Sequence, residues 1–185
     1  MRKRCEWVGN DPIYINYHDN EWGKPVHDDQ KLFETIVLDG FQAGLSWLIV
    51  LKKRENFRSC FDNFYPEKVA KYKETKILEL INDKGIIRNK LKIRAAVANA
   101  QAFIKVQREF GSFDKYIWAF VKHRTIVNKR KSLKEIPVST KESDAMSKDM
   151  KKRGFKFCGT TICYAFMQAV GMVNDHTIDC FCYKK

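Results

Sequence analysis

The feature that most limits the fold is an apolar pattern of helical period, repeated along the chain. Ile93, Ala96, Val97, Ala100, Phe103 and Ile104 recur at short spacings within residues 90–110. That pattern gathers them on one face of a helix and would scatter them over both faces of a strand. Residues 29–60 carry a similar pattern in Leu32, Phe33, Ile36 and Val37, then Leu45, Trp47, Leu48, Val50 and Leu51. Gly40 and Gly44 interrupt it, which predicts two helices with a tight junction at 42–45. Pro66 predicts a short helix over 67–72, because proline's fixed φ suits a first turn. A further helix is predicted over 75–82, with Ile77, Leu78, Leu80 and Ile81 inward. Ser139 and Glu142 have capping-box spacing ahead of a helix to about residue 153, stopped by Gly154. The last helix is predicted over 161–170, ending at Gly171. Strand signals are few and short, so the fold class is all-α. With 185 residues and neither repeat nor low-complexity linker, a single domain over 1–185 is expected, and such a chain can bury a substantial core.

The formal net charge is +13 at pH 7. Such an excess points to a polyanionic partner, since lysine and arginine displace counterions from phosphates. Nucleic acid and an anionic membrane both meet that description. A membrane surface would favour one strongly amphipathic basic helix, whereas the basic residues here are spread over several segments. The basic N-terminus is followed by no apolar signal segment, and no run is long and apolar enough to span a bilayer. A nucleic acid as partner, no membrane, and a location that is cytosolic or, in a bacterium, at the nucleoid are therefore expected.

Cysteines stand at 5, 60, 158, 163, 180 and 182. In a reducing compartment they are thiols or metal ligands. Cys5 and His18 lie near the start of the chain, His176 and Cys180 near its end. One thiolate and one imidazole from each end would complete a tetrahedral Cys2His2 zinc site, and Cys182 could substitute as a ligand. Spacing alone also allows four unrelated residues. Cys60, Cys158 and Cys163 fall in apolar helical patterns and are expected in the core; His27 and His123 are expected on the surface.

Between the helices predicted at 75–82 and 90–110, a turn contains Gly85 and is rich in charge: Lys84, Arg88, Lys90 and Lys92. A short glycine-containing turn ahead of a helix exposes backbone N–H groups that bind a phosphate oxygen without reading sequence. This has the form of a helix-hairpin-helix; an ordinary solvated helix–helix turn is the alternative. The first 50 residues also hold Trp7, Tyr14, Tyr17, Trp22 and Trp47. Aromatics usually mean core, but here several alternate with polar residues, which suits a pocket wall in which a flipped base stacks. A cationic purine would gain cation–π attraction there.

The blocks that carry these residues are Cys5-Glu-Trp7, Asp11-Pro-Ile-Tyr14-Ile-Asn-Tyr17-His-Asp-Asn-Glu-Trp22-Gly, Gln42-Ala-Gly-Leu-Ser-Trp47, Lys52-Lys-Arg-Glu-Asn56, the segment from Lys152 to Tyr164, and Val173-Asn-Asp-His176. They resemble the bacterial 3-methyladenine DNA glycosylase I family over essentially the whole chain. The resemblance implies an all-α helix-hairpin-helix glycosylase fold and a structural zinc on Cys5, His18, His176 and Cys180, joining the two ends. It implies a base site lined by Trp7, Tyr14, Tyr17, Trp22 and Trp47, and a turn at 42–45 that enters the duplex, with Gly44 and Leu45 near the gap left by the flipped nucleotide. Gly85, Arg88 and Lys90 would meet the DNA backbone, and a monomer is expected.

A family segment read as Leu-Glu-x-x-Gln-Ala-Gly stands here as Leu38-Asp39-Gly-Phe-Gln42-Ala-Gly44. The glutamate has become Asp39, one methylene shorter, and Ala165 stands where some members carry a small hydroxyl. The implied activity is monofunctional hydrolysis of the N-glycosidic bond of N3-methyladenine. The family lacks a catalytic aspartate, so Asp39 is assigned to base recognition through the exocyclic amine; a helix-terminus residue is its plainer role. The alternative function is a catalytically impaired DNA-binding relative. A zinc nucleobase deaminase is excluded by the missing His-x-Glu and Pro-Cys-x-x-Cys pairings.

Overall fold

Asp11 and Pro12 start the first helix: the Asp11 carboxylate accepts the Ile13 N–H at 2.9 Å, and proline occupies the first turn. This helix, α1 (Pro12–Asn20), carries Tyr14, Tyr17 and His18. The computed structural model describes residues 2–183. Next come α2 (Asp29–Gln42), capped by Asp28 through the Lys31 N–H, and α3 (Trp47–Cys60). The short α4 (Pro66–Val69) leads to α5 (Glu74–Asn82) and the long α6 (Lys90–Phe110). The chain continues through α7 (Phe113–Trp118), α8 (Lys141–Lys152) and α9 (Thr160–Ala169).

Helix α2 is the hub, touching α3, α6, α7 and α9. Leu32, Phe33, Ile36 and Val37 are buried as their period predicts, and Phe33 meets Phe103 of α6 edge-on at 5.2 Å. Phe103 in turn stacks on Phe113 at 4.1 Å. Each fully buried side chain of this size contributes about 1.5–3 kcal/mol, so this ring of contacts fixes α2 firmly. That fixity matters because the last turns of α2 carry Asp39 into the interior.

The fold is mostly helical, as expected, with one short strand pair beside the helices. Strand β1 (Ile126–Val127) pairs in parallel with β2 (Val173–Asn174), with Ile126 opposite Val173. The pair is only two residues long and leaves almost no sequence period. It lays residues 126–130 alongside 173–177 and so sets the position of His176. The capping box is also one residue later than predicted. Thr140 and Ser143 exchange side-chain and backbone hydrogen bonds, and Ser143 is additionally held by Thr160 at 2.9 Å. Leu78, expected inward, is 48% exposed. Ile77 and Leu80 face the core, and Leu78 falls on the opposite side of a helix of only nine residues. Cys158 and Cys163 are core residues, whereas Cys60 is half-buried with its thiol 3.0 Å from Asp83 Oδ2. His27 and His123 are exposed. Among the described residues no helix is long and apolar enough to cross a membrane.

Candidate active site

Helix α1 and the segments flanking it meet the C-terminal ends of α2 and α9 around a cavity of ≈ 340 Å³. Its wall contains all five predicted aromatics, Trp7, Tyr14, Tyr17, Trp22 and Trp47, together with Asp39. Trp7 packs edge-on against Tyr14 at 4.9 Å and Trp22 at 5.0 Å, while Tyr17 tilts over Trp47 at 5.6 Å. Edge-to-face packing locks such rings without consuming every π-face, so a flat aromatic ligand has somewhere to stack. The wall also includes Gln42, Leu133, Ile136, Ala165, Gln168 and Ala169. Leu133 and Ile136 escaped sequence reasoning. They come from an irregular segment with a single short 3-10 turn, which has no period to read.

Asp39 is the unusual group. It is 2% exposed, and its Oδ2 is buried with no hydrogen-bond partner among the described residues. Burial alone pushes its carboxyl well above the ordinary carboxylate range. The Tyr17 hydroxyl is likewise pushed far up, first by burial and then by the nearby Asp39. A second buried polar atom, Trp47 Nε1, also lacks a partner among the described residues. Buried polar groups are nearly always satisfied, and an orphan costs about 1–3 kcal/mol. Two orphans on one aromatic wall describe a site prepared for a polar, planar ligand.

The turn after α2 projects outward. Gly44 takes φ +82°, which disfavours residues with a Cβ, and nothing lies within 4 Å of the position a Cβ would occupy. Leu45 beside it is 39% exposed, an apolar side chain presented to solvent next to the cavity. The predicted hairpin also exists, as residues 83–89 between α5 and α6. Lys84, Arg88 and Lys90 are exposed on it. Two details differ from expectation. The Gly85 N–H is consumed within the turn by Asp83 Oδ1 at 2.6 Å, as in an Asx-turn, so it is not a free donor. Lys92 is buried and turns inward, because its ammonium finds the carbonyls of Phe41 and Ala43.

The chain ends meet behind the aromatic wall. One ligand-capable atom from each of His18, His176, Cys180 and Cys182 lies within 4.8 Å of the others. Cys5 is enclosed beside them, 3.8 Å from Thr177 Oγ1, but does not join this compact group. Both imidazoles are oriented through Nδ1: His18 on Asp19 at 2.8 Å, His176 on Asn174 at 2.9 Å. Such outer partners fix the tautomer and leave Nε2 to a metal. His176 Nε2 is indeed buried without a partner, and His18 Nε2 lies 3.4 Å from Cys180 Sγ. Burial lowers both histidines, His176 to about 4, so each is neutral as a ligand must be. Burial pushes Cys5 up to about 12 and Cys182 to about 11. Such thiols become thiolates when a cation supplies the missing charge. The donor set and the orphaned nitrogen fit a closed zinc site.

Comparison with known proteins agrees with this geometry. Residues 7–183 match the family model described as methyladenine glycosylase. DNA-3-methyladenine glycosylase 1 of Escherichia coli strain K12 is 55% identical over 181 residues, covering 98% of this chain and 97% of the relative. A crystal structure of 3-methyladenine DNA glycosylase I superposes with a TM-score of 0.96 at 52% identity, over 98% of this chain and 100% of the other. A structure described as the basis of 3-methyladenine recognition by the Staphylococcus aureus glycosylase I superposes at 0.95 with 35% identity, over 98% and 97% of the two chains.

The buried carboxyl makes a pH-dependent prediction. Its pKa is raised in the folded protein, so the penalty is absent below the unfolded value of about 3.9 and grows as pH rises from there toward the folded pKa. Asp39→Asn should therefore stabilise the unliganded protein by more than about 1 kcal/mol at pH 7, with little gain at pH 4. Urea denaturation at the two pH values measures this; equal shifts at both would contradict it.

Proposed function

The chain belongs to the methyladenine glycosylase family, and from that premise we propose how its residues perform the excision of N3-methyladenine from alkylated DNA. The protein is a base-excision-repair glycosylase that hydrolyses the N-glycosidic bond of the alkylated base, and the observation that carries the mechanism is the unpartnered, buried Asp39 on an aromatic wall. Methylation at N3 gives the base in DNA a positive charge. A cation brought beside Asp39 restores the charge that burial suppresses. The carboxylate then accepts from the exocyclic amine, a charge-assisted bond in a dry site. Unmodified adenine is neutral and cannot compensate the carboxylate in this way. Trp7, Tyr14, Tyr17, Trp22 and Trp47 hold the ring by stacking and cation–π attraction.

The chemistry itself demands little. Water attacks C1′ of the sugar, the C1′–N9 bond breaks, and its electron pair passes to the purine and cancels the positive charge. The proton lost by water goes to solvent. Among the described residues the cavity wall contains no lysine, so no Schiff base forms and the strand stays intact. Double-stranded DNA is held through the exposed Lys84, Arg88 and Lys90 of the hairpin, while Gly44 and Leu45 fill the gap left by the extruded nucleotide. The protein acts as a monomer, in the cytoplasm at the bacterial nucleoid.

Zinc would be held by His18, His176 and Cys180, with Cys5 as the fourth ligand that the family resemblance implies and Cys182, which lies in the compact group, as its competitor. Four protein ligands would leave no open position, so the ion would serve structure by tying the chain ends and would take no part in the hydrolysis.

Asp39→Asn keeps the size of the side chain and removes its charge. The released base is neutral, so charge compensation is read with 3,9-dimethyladeninium, which keeps the cation of the base in DNA: its binding should weaken by roughly 1.5–3 kcal/mol, the worth of a hydrogen bond to a charged group, and that of free 3-methyladenine by less. Single-turnover excision should fall yet stay measurable, because the cationic base leaves readily. Unchanged base affinity in titration would remove Asp39 from recognition, and abolished excision with unchanged affinity would make it catalytic. Metal analysis should find one zinc per chain, lost together with thermal stability in His18→Ala and Cys180→Ala. Cys5→Ser should lose it and Cys182→Ser retain it. The reverse result would move the fourth ligand to Cys182, and retention in every variant would refute the site.

A further inference from the structure

Lys92 is a buried cation with no part in the chemistry above. It is 7% exposed, so it does not reach a phosphate. Its ammonium donates to the Phe41 carbonyl at 2.8 Å and the Ala43 carbonyl at 2.5 Å. These are among the last carbonyls of α2 and the first of the following turn, groups that a helix end leaves without partners. A cation there is also favoured by the helix dipole. The same residue's backbone N–H is capped by Asn89 of the hairpin at 3.1 Å. Lys92 therefore has its main chain in the first turn of α6, tied to the hairpin through Asn89, and its charge on the turn that carries Gly44 and Leu45.

The helix that follows the turn, α3, is tied to the hairpin as well. Lys53 of α3 donates to the Lys84 and Gly85 carbonyls at 3.1 and 3.2 Å, and Asn56 reaches the Gly85 carbonyl at 3.3 Å. The turn itself is lightly held: Gly44 has open space where a Cβ would sit, and the Leu45 N–H bonds back to the Gln42 carbonyl at 2.6 Å. We propose that Lys92 is a positioning residue that sets the Gly44–Leu45 turn against the hairpin, so that backbone grip and nucleotide extrusion occur in register. This rests on the reading of Gly44 and Leu45 as the residues that enter the duplex. A lysine suits the task because its thin stem passes through the core while its head supplies several donors at one point.

The test compares Lys92→Met and Lys92→Gln with Leu45→Ala. Release of 3-methyladenine is measured in single turnover from methylated duplex and methylated single-stranded DNA. Titration with free 3-methyladenine and the salt dependence of duplex binding accompany it. Misplacing the turn should lower duplex release about 10–100-fold in Lys92→Met, with Lys92→Gln between it and the parent. Release from single strands, which need no extrusion from a stack, and affinity for the free base should change little. Leu45→Ala should show the same split. Equal loss on both DNA forms, or loss of free-base affinity, would make Lys92 merely structural and overturn the proposal. A salt slope reduced by about one would place it on a phosphate and overturn it too. If Lys92→Met does not fold, Lys92→Gln decides by the same split. If Leu45→Ala leaves duplex release intact, the reading of the turn fails and this inference with it. If Leu45→Ala shows the split and the Lys92 variants do not, only the role of Lys92 fails.

Discussion

The contact on which the site depends is between the two ends of the chain. The His176 ring lies edge-on against Trp22 at 4.6 Å, and Gly23 has φ +74° with the position of a Cβ only 2.7 Å from that ring. A side chain there would push the imidazole away. Trp7 then packs on both Trp22 and His18, at 5.0 and 5.4 Å. The back of the aromatic wall is therefore the His/Cys cluster. Cys180 and His18 are 162 residues apart in sequence, and closing so long a loop is entropically unfavourable unless something strong holds it. Buried imidazoles oriented by Asp19 and Asn174 are arranged for that task. Arg4 extends the arrangement by gripping Asp19 at 2.7 Å, which holds its carboxyl down at about 2.

The rest of the site opposes this rigidity with one deliberate instability. A carboxyl without a partner in the last turns of the central helix weakens the empty protein. In the proposed function it becomes useful when a cationic base arrives. Local rules broken at one place within an otherwise consistent fold mark function. Packing of α2 against four other helices lets the fold tolerate the penalty while Asp39 stays buried on the cavity wall.

The long helices were legible because their apolar residues repeat often enough to define a face. Helix α1 was hidden, although Asp11 and Pro12 announce its start, because its aromatic residues serve a cavity instead of a continuous core. Helix α7 and the β1–β2 pair are too short to carry a period. The aromatic wall, Asp39 and the Gly44–Leu45 turn were placed through resemblance to the family, and the structure brings the wall residues together. Charge was the least reliable guide. In sequence Lys92 is one more basic residue of the hairpin region, with no sign that the Phe41 and Ala43 carbonyls lie within its reach. The Gly85 N–H looked free for the same reason, since its acceptor, Asp83, is recognisable only once the turn is formed.

The central claim is that the cavity removes a methylated purine and leaves the strand whole. The direct measurement is chromatography of the bases released from methylated duplex DNA, with the same DNA examined for breaks before and after alkali. The account predicts 3-methyladenine in the released fraction, intact strands before alkali, and breaks at the resulting abasic sites after it. Absence of released base would leave only a DNA-binding relative of the family, and breaks before alkali would require an amine nucleophile that the cavity wall does not contain.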